Sequence, residues 1–201
     1  MNRINKPSAA LALLIAGALA LSACNAAAPA EEPPLAGAAI GGDFALTASD
    51  GRTVKWDDFA GKYRIVYFGY AYCPDICPTD MQRVAQGLKV LKADDPAKAA
   101  MIQPIFITID PERDTPAVVG EFAAAFSPDI VGLTGTPDQI AAAAKAFKVF
   151  FAKGEAVAGG GYLVDHSNIV YLFGPNGEPL ATLPVDKGAD AVAAELDKWV
   201  S

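Results

Sequence analysis

The chain contains 201 residues, is 52% hydrophobic and carries a formal net charge of −7. That length and hydrophobic content are sufficient for one domain with a buried core. The acidic balance argues against nucleic acid as a partner and against a polybasic membrane contact, because both require clustered lysine and arginine side chains.

Residues 1–23 have the composition of an export signal. Arg3 and Lys6 precede an apolar run over 9–21, which is too short for a typical membrane-spanning helix. The run ends in Leu21-Ser22-Ala23-Cys24, which resembles the lipoprotein box of bacteria. We therefore predict a lipoprotein signal peptide over 1–23 and lipidation at Cys24. The protein is then exported and lipid-anchored at the periplasmic face of the inner membrane, where disulfides are permitted.

Residues 24–40 predict a flexible tether between the lipidated cysteine and the folded domain. The segment is rich in alanine and proline. At about 3.3 Å per residue it would reach about 50 Å when fully extended. This length would allow the domain to meet a membrane-bound partner.

The chain after the tether predicts alternating strands and helices. A hairpin over 44–54 turns at Asp50-Gly51, and a β-branched and aromatic run over 65–68 predicts a buried strand. The following helix has apolar residues at helical spacing from Met81 to Leu91. The segment 101–110 is almost continuously apolar and predicts a strand buried on both faces.

Two further helices begin at recognisable capping sequences. Thr115-Pro116 combines an N-cap with a first-turn proline, and Thr136-Pro137-Asp138-Gln139 matches a capping box. Between these helices, residues 130–133 predict a short strand. The second helix is predicted to run through Phe147, with Phe150 and Phe151 on its packing face, before a glycine loop over 159–161.

A hairpin over 168–185 and a helix over 190–200 complete the predicted elements. Their order predicts an α/β fold, in which parallel strands are followed along the chain by an antiparallel pair. We expect one thioredoxin-like domain over 41–201, with a central mixed sheet flanked by helices and an N-terminal hairpin.

Two cysteines stand at the junction between the strand over 65–68 and the helix that follows it. Cys73-Pro74-Asp75-Ile76-Cys77-Pro78 places them four residues apart, so on a helical turn they share a face with Cα atoms about 6 Å apart. That separation suits a shared metal ion or a disulfide. The N-terminus of a helix favours anions and lowers a cysteine pKa. The junction is therefore the candidate functional site.

His166 is the only histidine in the chain. A single histidine is more often structural or exposed, but with two thiolates it completes a soft three-ligand set, which favours Cu(I). Zinc is the main competitor: a structural zinc site would require a fourth ligand such as Asp75 or Asp110, and a catalytic zinc site would not. A plain disulfide between Cys73 and Cys77 is a further alternative, although so small a loop constrains the unfolded chain little.

Several motifs together resemble the Sco/SenC family of copper-binding cytochrome c oxidase assembly proteins, from about Gly41 to the C-terminus. The resemblance implies a thioredoxin-like fold and a copper site formed by Cys73, Cys77 and His166, for Cu(I) and also Cu(II). It implies delivery of copper, or of reducing equivalents, to the dinuclear copper centre of an oxidase subunit. The motifs are the cysteine segment preceded by Phe68-Gly69-Tyr70, then Asp110-Pro111-Glu112-Arg113-Asp114-Thr115, Gly132-Leu133-Thr134-Gly135 and Val164-Asp165-His166-Ser167.

The same resemblance implies roles for other residues and partners. Cys73 and Cys77 would also form a redox disulfide, and Asp110 would lie near the site, supporting it or recognising a partner. Another periplasmic copper chaperone or a thiol reductase is an expected second partner. One departure from the family is Ala71, where a hydroxyl residue is common, and this leaves the three ligands intact.

The alternative hypothesis is a thiol–disulfide oxidoreductase that acts on the cysteines of partner proteins. The Cys-x3-Cys spacing differs from the Cys-x2-Cys motif of thioredoxin-type enzymes. Tyr70 occupies the position where a peroxiredoxin has threonine or serine. Dithiol exchange remains compatible with the sequence, because a lowered thiol pKa serves both chemistries and the thiols must be reduced before they bind copper. We expect an assembly factor, not an enzyme with a small-molecule substrate.

Overall fold

A mixed β-sheet lies at the centre of the part of the chain that the computed structural model describes, residues 31–156 and 161–201. The strands are β1 (Ala45–Ala48), β2 (Thr53–Lys55), β3 (Tyr63–Gly69), β4 (Ile102–Thr108), β5 (Val131–Thr134), β6 (Phe151–Ala156), β7 (Tyr162–His166), β8 (Val170–Phe173) and β9 (Pro179–Thr182). Seven of them form the central sheet in the order β2-β1-β5-β4-β3-β8-β9, and β6 and β7 form a separate two-stranded sheet.

The centre of the sheet is parallel and its flanks are antiparallel. β3 pairs in parallel with β4, and β4 with β5, while β1 and β8 run antiparallel to their neighbours. Every residue of β3 is buried, as expected for a central strand covered on both faces. The predicted N-terminal hairpin is confirmed as β1 and β2, and the predicted C-terminal hairpin as β8 and β9.

Five α-helices connect or follow these strands in the described residues. They are α1 (Ile76–Asp94), α2 (Pro96–Ala100), α3 (Pro116–Ala124), α4 (Pro137–Ala146) and α5 (Ala189–Trp199). The predicted starts of α3 and α4 are confirmed: Thr115 and Thr136 are N-caps whose side chains accept hydrogen bonds from the backbone, and each is followed by proline. The order β3-α1-β4, then β8-β9-α5, is the thioredoxin-like arrangement predicted from the sequence.

The two faces of the sheet are packed differently. On one face α1 lies close to α5, because Gly87 leaves room for Val192: an added Cβ at Gly87 would lie 2.5 Å from Val192 Cγ1. On the other face, aromatic rings surround Trp56, with Phe147 at 5.4 Å and Phe173 at 5.3 Å between ring centroids. The edge-to-face geometry of these pairs adds to the burial of their apolar surface.

The predicted extension of α4 to Phe150 and Phe151 is wrong. The helix ends at Ala146, and Lys148 adopts a left-handed backbone with φ of 57°. Helices commonly end at a glycine in this left-handed conformation. A lysine at the same position therefore did not predict the end of the helix. Phe150 is 64% exposed, and Phe151 begins β6, which pairs with β7.

The compact unit begins at Pro33, earlier than the boundary at Gly41 predicted from the sequence. The backbone N–H of Leu35 donates to the carbonyl of Leu180 in β9, and Leu35 and Ile40 pack against the core. The predicted signal peptide, Cys24 and the start of the tether lie outside the described residues. Among the helices described, none has the length and apolar character needed to cross a bilayer.

Candidate metal centre

Cys73 and Cys77 lie where β3 ends and α1 begins. The side chain of the N-cap residue, Asp75, makes no capping hydrogen bond. The backbone N–H of Cys77 instead points at Cys73 Sγ, at 3.4 Å. Because the first N–H groups of a helix have no partner within the helix, the Cys73 sulfur fills the place of a capping oxygen.

His166 reaches the same site from the last position of β7. Its Nε2 atom lies 3.3 Å from Cys77 Sγ, and its Nδ1 atom lies 2.9 Å from the carbonyl oxygen of Ser167. A carbonyl oxygen only accepts hydrogen bonds, so the Nδ1 atom carries the proton. The lone pair of Nε2 is therefore directed at the thiols, as a metal-binding imidazole requires.

These three side chains form a group that could hold a metal ion. The two Sγ atoms and one imidazole nitrogen all lie within 4.8 Å of one another. Atoms that share one ion through bonds of about 2.0–2.3 Å lie at most about 4.6 Å apart, so the group needs little movement to close on an ion. In the described part of the chain, neither Asp75 nor Asp110 belongs to this group. Two sulfurs and one nitrogen suit a soft ion of low coordination number better than a four-coordinate structural zinc.

The two thiols differ in exposure and acidity. Both are free, Cys73 half-buried and Cys77 fully buried. Burial opposes ionisation of Cys73, but hydrogen bonds from the backbone of Cys77, Asp75 and Ile76 and from the Cys77 thiol hold its pKa below the ordinary value of 9.0. Burial raises the pKa of Cys77, and hydrogen bonding to the Cys73 sulfur raises it further. Cys73 is therefore the more accessible and the more acidic thiol of the pair.

Aromatic side chains form the wall behind His166. The rings of Tyr67 and Tyr70 meet the imidazole edge-on, with centroids at 6.3 Å and 5.9 Å. The Tyr67 hydroxyl donates to the buried Asp80 carboxylate at 3.2 Å. Burial raises the pKa of Tyr67 and also that of Asp80. These contacts restrict the imidazole to one orientation.

Asp110 connects the loop after β4 to the strand that carries His166. Its carboxylate accepts a hydrogen bond from the Tyr162 hydroxyl at 2.6 Å and another from Arg113 Nε. The Arg113 guanidinium lies 3.7 Å from the centroid of the Tyr162 ring, a cation–π contact. Asp110 is 4% exposed, so these partners stabilise a buried charge. The carboxylate thus holds the β6–β7 hairpin through Tyr162 and is not one of the potential metal ligands.

Asp114 fixes the other side of the site. Its Oδ2 atom accepts hydrogen bonds from the Ala71 backbone N–H at 2.9 Å and from the Thr108 hydroxyl at 2.6 Å. Burial raises the pKa of this carboxyl group. The segment before Cys73 is therefore tied to the end of β4.

The sequence interpretation missed the β6–β7 hairpin and with it the role of Tyr162. His166 is the last residue of β7, a strand that the sequence analysis did not predict. The alternation of half-buried or buried Tyr162, Val164 and His166 with exposed Leu163 and Asp165 is the period-two pattern of a strand. That alternation is one of burial and not of residue type, because the exposed Leu163 is apolar. The aromatic Tyr162 and the β-branched Val164 were the strand signal that the sequence offered.

Comparison with known proteins identifies the class and then the family. The fold and the Cys2His group define a thioredoxin-like protein with a candidate metal site. The SCO1/SenC family model matches residues 32–201. The chain belongs to the SCO1/SenC family.

Individual relatives agree with this assignment. The human protein named "Protein SCO1 homolog, mitochondrial" is 36% identical over 157 residues, which cover 78% of this chain and 52% of the human protein. The chain thus spans about half the length of that relative. A copper-bound structure of ScoI from Bradyrhizobium japonicum is 34% identical, with a TM-score of 0.72 over 80% of this chain and 99% of the other. Copper-bound yeast Sco1 is 36% identical, with a TM-score of 0.73 over 81% and 88% of the two chains.

Proposed function

We propose that this protein is a copper-binding assembly factor that delivers copper, or reducing equivalents, to the dinuclear copper centre of cytochrome c oxidase. The carrying observation is that Cys73 Sγ, Cys77 Sγ and a suitably oriented His166 Nε2 lie within 4.8 Å of one another. Membership of the SCO1/SenC family and two copper-bound relatives of similar fold support copper as the ion. We assign Cys73, Cys77 and His166 as its ligands.

The difference between the two thiols suggests how copper leaves the site. Cys73 is half-buried and Cys77 is fully buried, so an incoming thiolate reaches the metal from the Cys73 side. The acceptor's thiolate binds copper first, and the donor ligands are then released one at a time. Copper therefore stays ligated throughout, and His166, held by Ser167, is ready to rebind the next ion.

Dithiol chemistry is the second candidate function, and the acidic Cys73 thiol favours it. The Cys73 thiolate would attack a partner's disulfide and form a mixed disulfide, releasing one partner thiol. The Cys77 thiolate would then attack Cys73 Sγ and release the second partner thiol. The partner gains two electrons, and this chain ends with a Cys73–Cys77 disulfide.

We further propose that Asp110 supports the site through the hairpin, and that Cys24 carries a lipid anchor at the periplasmic face of the inner membrane. The contacts of Asp110 with Tyr162 and Arg113 support the first point. The apolar run ending in Leu21-Ser22-Ala23-Cys24 supports the second. A second copper chaperone or a thiol reductase would load or reduce the site.

An anaerobic Cu(I) competition titration on the full chain in detergent tests the copper proposal. We expect one ion per chain and loss of tight binding in Cys73→Ser and Cys77→Ser. His166→Ala should weaken binding by more than the roughly 10–100-fold typical of a residue that only hydrogen-bonds to a metal ligand. Tight binding that His166→Ala leaves unchanged would remove His166 from the ligand set. Tight binding that survives both cysteine substitutions would refute the site.

A copper-transfer experiment distinguishes the two candidate functions. The Cu(I)-loaded chain is mixed with the copper-free dinuclear-copper domain of the oxidase subunit, with that domain's cysteines either reduced or oxidised. Copper transfer to the reduced domain supports delivery. Reduction of the oxidised domain by the metal-free chain, without copper transfer, supports the oxidoreductase.

A further inference from the structure

Large apolar side chains that face solvent are concentrated beside the three proposed ligands. In the described residues, the exposed large apolar side chains are Tyr72 at 54%, Ile76 at 37%, Phe150 at 64% and Leu163 at 44%. Tyr72 directly precedes Cys73, and Ile76 directly precedes Cys77. Clustered exposed apolar residues on a soluble domain mark interaction sites.

Phe150 precedes β6 and is hydrogen-bonded to the residue that follows the third ligand. Its carbonyl accepts a hydrogen bond from the Ser167 N–H at 2.9 Å, and its own N–H donates to Ser167 Oγ at 3.1 Å. Ser167 follows His166, and His166 pairs with Phe151. Tyr72 and Ile76 are thus sequence neighbours of the two cysteines, and Phe150 directly precedes Phe151, the strand partner of His166.

Leu163 extends this surface along the outer face of the hairpin. Side chains alternate between the two faces of a strand, and Tyr162, Val164 and His166 face inward. Leu163 and Asp165 therefore project outward on β7. On the opposing strand, Phe151 pairs with inward-facing His166, so its neighbour Phe150 projects to the same outer side as Leu163.

The charges beside the ligands are acidic. Asp75 lies between the two cysteines and Asp165 precedes His166, and both are exposed. Neither forms an ion pair within residues 31–156 and 161–201. Two of the nearby cations have acidic partners, since Arg113 pairs with Asp110 and Lys153 with Glu112. The surface thus offers apolar contacts and unpaired carboxylates.

We propose that Tyr72, Ile76, Phe150 and Leu163, with Asp75 and Asp165, form the docking surface for the copper acceptor. The acceptor is a protein that presents reduced thiolates from an apolar surface with basic side chains around it. Ligand exchange requires its thiolates to reach the metal past Cys73, so it must cover the residues that border the ligands. This inference rests on the proposed function and adds the surface and the chemistry of the partner.

The test compares apolar and polar substitutions outside the ligand set. Phe150→Ser and Ile76→Ser remove apolar contact area, whereas the matched controls Phe150→Leu and Ile76→Val retain it. The probe is the reduced, copper-free dinuclear-copper domain of the oxidase subunit, mixed with Cu(I)-loaded full-length chain in detergent. Copper affinity, thermal unfolding and the second-order transfer rate constant are measured for each variant.

We expect the serine variants to keep wild-type Cu(I) affinity and to transfer copper about tenfold more slowly, the usual effect of losing one important interface side chain. The leucine and valine controls should transfer at near wild-type rates. Replacing Asp75 and Asp165 with asparagine should slow transfer at low salt and have less effect at high salt.

Two results would overturn the inference alone, and a third would overturn it together with the proposed function. Unchanged transfer in the serine variants, with intact copper binding, would reject the surface and leave the proposed function standing. Conversion of a wild-type dimer into a monomer by Phe150→Ser, with transfer unaffected, would assign the surface to a second copy of this chain. Failure of the wild-type chain to bind or transfer copper would instead refute the proposed function, and the docking inference with it.

Discussion

Cys77 and His166 are separated by 89 positions in the sequence, and Cys77 Sγ lies 3.3 Å from His166 Nε2. The sulfur belongs to the first turn of α1, whereas the imidazole belongs to the last residue of β7. The fold brings them together because β3 delivers the cysteines to one end of the sheet and the β6–β7 hairpin covers that end. Copper affinity should therefore depend on how firmly the hairpin is held.

The two thiols should react at different rates with an alkylating reagent. The pKa of Cys73 lies below 9.0 and its sulfur is half-buried, whereas burial raises the pKa of Cys77. As pH rises, Cys73 becomes a thiolate first, and the thiolate is the reacting species. Iodoacetamide labelling of the metal-free chain from about pH 6 to 9, read by mass spectrometry, should modify Cys73 at least about tenfold faster.

Two controls accompany the labelling. Cys73→Ser should leave a chain that reacts slowly while it is folded, and unfolding in urea should make the two cysteines react at similar rates. Faster labelling of Cys77 in the folded protein would contradict the assigned order of acidity.

Gly69 should be needed at the end of β3 because it leaves space for the site. An added Cβ would lie 2.9 Å from Cys77 Sγ and 3.0 Å from Tyr67 Cε1. Gly69→Ala should therefore cost about 1–3 kcal/mol of folding free energy, typical of overpacking, and should weaken Cu(I) binding by displacing the sulfur. Urea unfolding and Cu(I) competition measure the two effects.

Gly132→Ala is the matched control for Gly69→Ala. In β5 the added Cβ would lie 2.5 Å from the Val119 carbonyl oxygen in α3, away from the ligands. We expect a loss of stability at least as large, because this contact is closer and involves backbone, with unchanged copper affinity in the folded protein. Equal weakening of copper binding by both substitutions would mean that the effect at Gly69 is general destabilisation.

The sequence was most informative where local chemistry decides the structure. Thr115-Pro116 and the capping box at Thr136 predicted two helix starts correctly because caps act within one turn. The end of α4 was not predictable in the same way. Phe147, Phe150 and Phe151 continue a helical spacing, and the left-handed backbone at Lys148 depends on tertiary packing.

The candidate site was predictable only in part, for a related reason. The cysteine spacing and the single histidine indicated a three-ligand set, and the structure brings those side chains within 4.8 Å. The supports of the set act over long sequence separations: Tyr162 bonds to Asp110, and Ala71 to Asp114. Periodicity and spacing within one segment carry no information about such pairs.

Asp114 should contribute to stability in a pH-dependent way. Burial raises its pKa above the ordinary 3.8, so the folded state holds the proton more tightly than the unfolded state. The free energy of unfolding therefore falls as pH rises from 3.8 through the folded-state pKa, because the native protein must release a proton that the unfolded chain has already lost. Asp114→Asn should remove this dependence, which urea unfolding across that range would detect.

Asp114→Ala should have a larger effect than Asp114→Asn. The asparagine carbonyl can still accept from the Ala71 N–H and the Thr108 hydroxyl, whereas alanine leaves both without their acceptor. We expect a loss of about 2–4 kcal/mol for alanine at neutral pH. Equal stability of the two variants would show that these hydrogen bonds contribute little.

Tyr162→Phe should weaken copper binding without removing a ligand. The substitution deletes the hydroxyl that donates to Asp110 at 2.6 Å and retains the ring that Arg113 contacts. Loss of a hydrogen bond to a buried carboxylate should cost about 1.5–3 kcal/mol of stability. Because Tyr162 and His166 share β7, Cu(I) affinity should also fall, by less than in His166→Ala.

Tyr63→Phe provides the control for this last prediction. Its hydroxyl donates to the Ser201 carbonyl at 3.2 Å, at the end of β3 away from the cysteines. The Tyr63→Phe variant should lose this hydrogen bond and some folding stability, while its Cu(I) affinity stays at the wild-type value. Thermal unfolding and anaerobic Cu(I) competition on both variants would then separate support of the hairpin from general stability. If Tyr162→Phe bound copper as tightly as Tyr63→Phe, the Asp110–Tyr162 contact would have no part in holding His166 at the site.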